Sequence, residues 1–145
     1  MTKKIFTLSV ILLAFLTASF AQPKRNIQVQ AGNSFAVVGD WVFNNANYFV
    51  KIEIDYDGDM EVKLVQENRL ETEWEGYWTA SDKQIFFNAY KKETKDYSRY
   101  YFNESKTRVT ERWVFDYSVT DQGLTLTCSN LPVEVAKDSL YSRTW

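Results

Sequence analysis

Residues 50–64 read VKIEIDYDGDMEVKL, and their pattern decides the fold. Val50, Ile52, Ile54 and Tyr56 fall on one side of an extended chain, with Lys51, Glu53 and Asp55 between them. After Asp57-Gly58 the alternation resumes at Met60, Val62 and Leu64. A period of two is that of a strand with one face buried and one face wet, because successive side chains in a strand point to opposite faces. An Asp-Gly pair between two such runs predicts a β-hairpin, since glycine accepts the positive φ of a tight turn.

The same period continues outward from this hairpin. A second hairpin is expected from Trp74-Glu75-Gly76-Tyr77-Trp78 through a turn at Ala80 into Ile85, Phe87 and Ala89. A polar loop is expected around Lys91 to Asp96, then a short strand from Tyr97 to Phe102. A long strand from Val109 to Tyr117 carries Val109, Trp113, Phe115 and Tyr117 on one face. Thr120-Asp121-Gln122-Gly123 turns the chain into Leu124, Leu126 and Cys128, and Tyr141 to Trp145 reads as a closing strand. No dozen-residue stretch after Ser34 carries a helical stripe. The expected class is all-β, about eight antiparallel strands in one domain over 35–145. An up-and-down barrel is favoured because closing the sheet removes exposed edges.

The chain begins MTKKIFTLSVILLAFLTASFAQ: Lys3 and Lys4, an apolar run from Ile5 to about Leu16, then Ser19 and Ala21 flanking Phe20. This is the three-part pattern of a secretory signal peptide over 1–21, with cleavage expected after Ala21 and a polar lead-in over 22–34. The run is short for the roughly 20 apolar residues of a membrane span, and Cys128 is too distant to be a lipid attachment point. A secreted or periplasmic protein without a membrane span is the expectation.

Composition narrows the function classes. The 145 residues carry 17 basic and 19 acidic side chains, a net charge of −2, so the basic footprint of a nucleic-acid-binding protein is missing. One cysteine permits no internal disulfide; Cys128 continues the face of Leu124 and Leu126 and reads as a small buried hydrophobe. Charge is uneven: from Glu53 to Asp82 the only bases are Lys63 and Arg69, whereas bases outnumber acids from Lys91 to Arg112. That polarity fits a solvated surface or a docking face for a partner or an anionic ligand.

Gly39-Asp40-Trp41, just ahead of the first long strand, resembles the opening of lipocalins and related calycins. The resemblance extends to the short lipocalin-like domains of many secreted bacterial proteins. It is carried by the order of four features from Gly39 to Trp145: the opening tryptophan, the Ile52–Val62 hairpin, the Gly76 to Phe87 hairpin, and Phe115 to Leu126. It implies that Trp41 plugs one end of a barrel and that Arg143 packs across it. The chain departs from the family in lacking an obvious C-terminal helix and the tyrosine that should follow Thr120-Asp121.

Little catalytic chemistry is encoded. There is no histidine, which removes the commonest general base and metal ligand, and no nucleophile elbow or phosphate-cradling glycine loop appears. Glu71, Glu73 and Glu75 alternate along one strand and read as a solvated outer face. Asp55-Tyr56-Asp57-Gly58-Asp59 has the spacing of a calcium loop but lacks its distal glutamate, and a hairpin turn needs the same residues.

The aromatics are the informative feature, five Trp, nine Tyr and ten Phe. Tyr56, Trp74, Trp78, Tyr101, Trp113 and Tyr117 are the candidates to line an interior that either fills with side chains or holds one small ligand. Two functions follow, neither enzymatic and neither needing a cofactor or a metal. One is a calyx for a small apolar or amphipathic molecule; the other is a protein-binding or structural envelope module built on a filled barrel. An outer-membrane barrel is disfavoured, because the faces opposite the apolar ones are Lys51-Glu53-Asp55 and Glu71-Glu73-Glu75.

Overall fold

A computed structural model of the chain describes residues 33–67, 69–97, 102–127, 135 and 139–144. The expected signal peptide, most of the lead-in, Tyr101, Cys128 and Trp145 lie outside these residues. A 3-10 turn, η1 (Asn33–Val37), precedes eight strands: β1 (Gly39–Asn44), β2 (Tyr48–Ile54), β3 (Asp59–Gln66), β4 (Leu70–Ala80), β5 (Gln84–Asp96), β6 (Asn103–Thr120), β7 (Gly123–Thr127) and β8 (Ser139–Thr144). Each pairs antiparallel with the next, and β1 pairs with β8 through Asp40↔Thr144, Trp41↔Arg143 and Val42↔Ser142. The sheet is therefore a closed ring in chain order. Among the described residues there is no α-helix.

The decisive hairpin forms as its pattern requires, with Val50, Ile52, Ile54, Met60, Val62 and Leu64 all buried and Val50↔Leu64, Ile52↔Val62 and Ile54↔Met60 in register. Its turn occupies four residues, Asp55 to Gly58. Gly58 N–H donates to Asp55 O at 3.2 Å and Asp55 N–H to Asp59 O at 3.0 Å, while Gly58 takes a φ of 95°. Trp78 locks this turn from β4, its backbone N–H donating to Gly58 O and its indole N–H to Asp55 O, each at 2.9 Å. Tyr56 sits at the turn tip, 70% exposed, against Phe35 of η1. The period-two reading that placed Tyr56 on the interior face is corrected: alternation ends at Ile54, where the turn begins.

The third strand pair also differs from expectation. Lys91 to Asp96 is strand, not loop, because β5 and β6 continue pairing as far as Asp96↔Asn103; Tyr97 and Phe102 flank the connection and are not in strands. What permits the longer pairing is a bulge at Tyr90. Gly76↔Ala89 is followed by Glu75↔Lys91 on one side, and Ala89↔Glu111 by Lys91↔Arg108 on the other. One extra residue in a strand bends it and reverses the inside–outside sequence of everything beyond it.

Outside, the register lays charge on charge. A ladder of ion pairs runs Lys63–Glu71 (3.0 Å), Glu71–Lys95 (3.3 Å), Lys95–Glu93 (3.0 Å), Glu93–Lys106 (3.3 Å) and Lys106–Glu104 (2.8 Å). The Lys95 and Lys106 ammonium groups hold the Glu93 carboxyl down at about 2. Elsewhere like faces like: Glu61 stands between Glu53 and Glu75 in register, and its pKa is raised by desolvation and then by the surrounding carboxylates Glu73, Glu53 and Glu75. A carboxyl with a raised folded pKa costs stability while charged, and the cost vanishes as pH falls through the folded and then the unfolded value. Glu61→Gln is therefore expected to raise stability by about 0.5 kcal/mol at pH 7 in dilute solution, allowing for solvent screening. Urea unfolding at pH 7 and pH 4 checks this, since the gain should shrink at the lower pH.

Candidate functional site

The ring has two ends of different construction. At the first, η1 crosses the opening and puts Val37 wholly inside. Trp41, 2% exposed, donates its indole N–H to Val37 O at 2.7 Å. Arg143 lies across the ring of Trp41, its guanidinium carbon 4.7 Å from the centroid, and donates to Val38 O at 2.7 Å and Ala36 O at 3.3 Å. Three carbonyls that η1 and its exit would leave without intrahelical partners are thus satisfied by two side chains, and the end is plugged. Trp41 and Arg143 are thus in contact, the pair that the resemblance singles out.

The interior next to this plug is filled. Trp41, Trp78, Tyr141, Phe87 and Phe115 are among its largest fully buried side chains. Trp113 packs edge-on against Phe87 (5.2 Å), Phe115 (6.3 Å) and Trp74 (5.1 Å). Burial pushes the pKa of the Tyr141 hydroxyl up, keeping it a donor to Val135 O. Of the six interior candidates, Trp74, Trp78 and Trp113 meet in this core. Tyr117 is half-buried and donates its hydroxyl to Ser81 O at 3.0 Å, closing the β4–β5 turn rather than lining a space. Tyr56 is outside, as described, and Tyr101 lies outside the described residues.

Toward the other end the lining changes character. The cross-strand row Ile52, Val62, Trp74, Lys92, Thr107 is apolar on β2 and β3 and polar on β5 and β6, and the next row, Val50, Leu64, Thr72, Thr94, Ser105, repeats the division. Directly opposed residues share a face, so Lys92 stands on the interior face with Trp74, its ammonium nitrogen 5.1 Å from the centre of the indole. Trp113 gives its indole N–H to Glu111 at 3.2 Å. Trp74, 3% exposed, gives its own to nothing: among the described residues its Nε1 is the buried side-chain polar atom without a partner. A buried donor left unmade costs about 1–3 kcal/mol, so this atom marks where an acceptor fits.

Sequence reasoning found Trp74 and missed Lys92, Thr94 and Thr107. Counting in twos from Phe87 and Ala89 sends Lys91 inward and Lys92 out; the Tyr90 bulge reverses both. No residue type at positions 89–92 announces that bulge, although Gly76 across from it is a signal of close backbone approach. Among the described residues no group of three or more acidic or sulfur side chains is placed to hold a metal. No family model, curated protein or solved structure matches the chain.

Proposed function

We propose that this is an exported, lipocalin-like binding protein whose site lies inside the ring at the end away from η1, where Trp74, Lys92, Thr72 and Thr107 gather. Its ligand is a small apolar or amphipathic molecule carrying one hydrogen-bond acceptor. The observation that carries this reading is the unpartnered indole N–H of Trp74, 3% exposed. Apolar walls from β2 and β3 take the body of such a molecule, and the indole N–H and the Lys92 ammonium orient its polar atom. The plug formed by Trp41 and Arg143 supports a calyx with one closed end. The Lys-Lys-apolar-small pattern of residues 1–21 supports export, and the charge ladder on the outer wall argues against a lipid-facing barrel.

The filled interior favours a second reading, in which the ring is a rigid scaffold that binds a protein on its outside. Titration with the amphipathic probe 8-anilinonaphthalene-1-sulfonate, alongside native mass spectrometry of the protein from its own host, separates the two. The calyx predicts saturable binding of one probe per chain, quenching of tryptophan emission, and about 10-fold weaker binding in Trp74→Phe, which keeps the ring and removes the donor. Lys92→Ala is expected to weaken it further. Absence of both saturable probe binding and a co-purified small molecule overturns the calyx in favour of the scaffold.

A further inference from the structure

The outer wall of β3–β6 carries an arrangement that the internal site does not use. Two cross-strand rows run over it. One reads Glu61, Glu75, Lys91, Arg108 and the other Asp59, Tyr77, Asn88, Arg112, each from β3 to β6. Both are acidic at the β3 end and basic at the β6 end. Between them Tyr90 stands outward, 42% exposed, beside Tyr77 with ring centroids 5.1 Å apart.

Tyr90 is the ridge between two grooves. One, of about 210 Å³, is walled by Asp55, Asp59, Glu61 and Glu75; the other, of about 660 Å³, by Tyr77, Lys91, Lys106 and Arg108. Among the described residues neutralisation is incomplete on both sides. Lys91 serves Glu75 and Glu93, and Lys106 serves Glu93 and Glu104. Asp55, Asp59 and Glu61 make no ion pair with a cation among the described residues, and neither does Arg108. Repulsion among the acids adds to desolvation in holding Asp55 and Asp59 above the usual carboxylate range.

We propose that this wall binds a second copy of the same chain about a two-fold axis that lies in the plane of contact, just outside the wall, and runs along the strands above the seam between β4 and β5. Such an axis lays β3 of each protomer over β6 of the other. Glu61 then meets the partner's Arg108, a contact that occurs twice, as an isologous interface requires. Tyr77 and Tyr90 of both copies gather at the axis, the aromatic anchors of an interface centre with charged pairs toward its rim. The next row toward the open end, Lys63, Glu73, Glu93, Lys106, reads the same in both directions. It would set like against like, so the interface lies on the η1 side of it. The proposal rests on the charges and rings of the outer wall and not on the internal site, although Thr107 also lines the basic groove.

The test is a charge swap read by sedimentation equilibrium and native mass spectrometry. The purified protein at about 100 μM in 50 mM salt is expected to be dimeric and to dissociate toward monomer in about 1 M salt, where screening shortens to roughly 3 Å. Glu61→Lys and Arg108→Glu each juxtapose like charges twice per dimer and are expected to weaken association about 100-fold while leaving the far-ultraviolet circular dichroism unchanged. Mixed together, the two variants restore both contacts and are expected to form a heterodimer; the double variant is expected to dimerise with itself. A wild-type chain that stays monomeric at 100 μM in low salt overturns the proposal. So does a mixture of the two folded variants that remains monomeric.

Discussion

Gly76→Ala is expected to lower the stability of the fold by about 3 kcal/mol or more, among the largest effects of any single methyl group in the chain. A Cβ at this position would lie 2.3 Å from Asn88 O, 2.7 Å from Ala89 Cα and 2.7 Å from Phe87 Cε2. Two of the three are backbone atoms of β5, and they cannot step aside as the end of a flexible side chain can. The reason for glycine here is space and not φ: β5 approaches β4 closely where the Tyr90 bulge bends it, and the absent side chain is what admits it. Gly39→Ala provides the contrast. There the nearest atom is Arg143 Nε at 3.3 Å, and the cost comes from a φ of 136° that a side chain resists. Urea unfolding midpoints at constant m-value measure both. A loss below about 1 kcal/mol in Gly76→Ala would mean that the bulge relaxes and that the register around it is not fixed by this contact.

Trp41→Ala is expected to cost about 4 kcal/mol, the range for emptying a buried tryptophan site. The indole is 2% exposed, donates to Val37 O at 2.7 Å and carries the Arg143 guanidinium on its face. Its loss opens a cavity, leaves the Val37 carbonyl unmade and removes the surface on which η1 docks. Arg143→Ala alone is expected to cost about 1–2 kcal/mol, since the side chain is exposed and its contributions include one cation–π contact and two hydrogen bonds to carbonyls. The two changes should not add. Once the indole is gone the guanidinium has lost the face it stacks on, and a double-mutant cycle is expected to show coupling of about 0.5–1 kcal/mol. Strict additivity would show that Arg143 serves only the η1 carbonyls and not the tryptophan.

Much of the molecule is legible in the sequence, and the legible parts are those governed by local periodicity. Val50 to Leu64 states the first hairpin outright, because apolar side chains every second residue leave only one face to bury. The Gly76 to Phe87 hairpin, the turn before Gly123 and the closing strand around Tyr141 follow by the same logic, as do the outward Glu71, Glu73 and Glu75. What misled was alternation carried past its end. Tyr56 keeps the beat of Val50, Ile52 and Ile54 but falls in the turn, where period two no longer applies and the side chain meets Phe35 instead of the core.

The sequence by itself determined the all-β class, most of the strands, which face of each is apolar except in β5 beyond Tyr90, and the absence of histidine chemistry. Only the tertiary structure decided that β1 meets β8, since that pairing joins residues a hundred positions apart and no local pattern encodes it. It also decided the faces beyond Tyr90. Inserting one residue costs a ladder hydrogen bond and is repaid by the close packing of β5 over Gly76, a balance between strands that neither strand's composition reveals. That single slip puts Lys92 with Trp74 inside the ring and Lys91 with Glu75 outside it, and so bears on both surfaces on which the proposed functions rest.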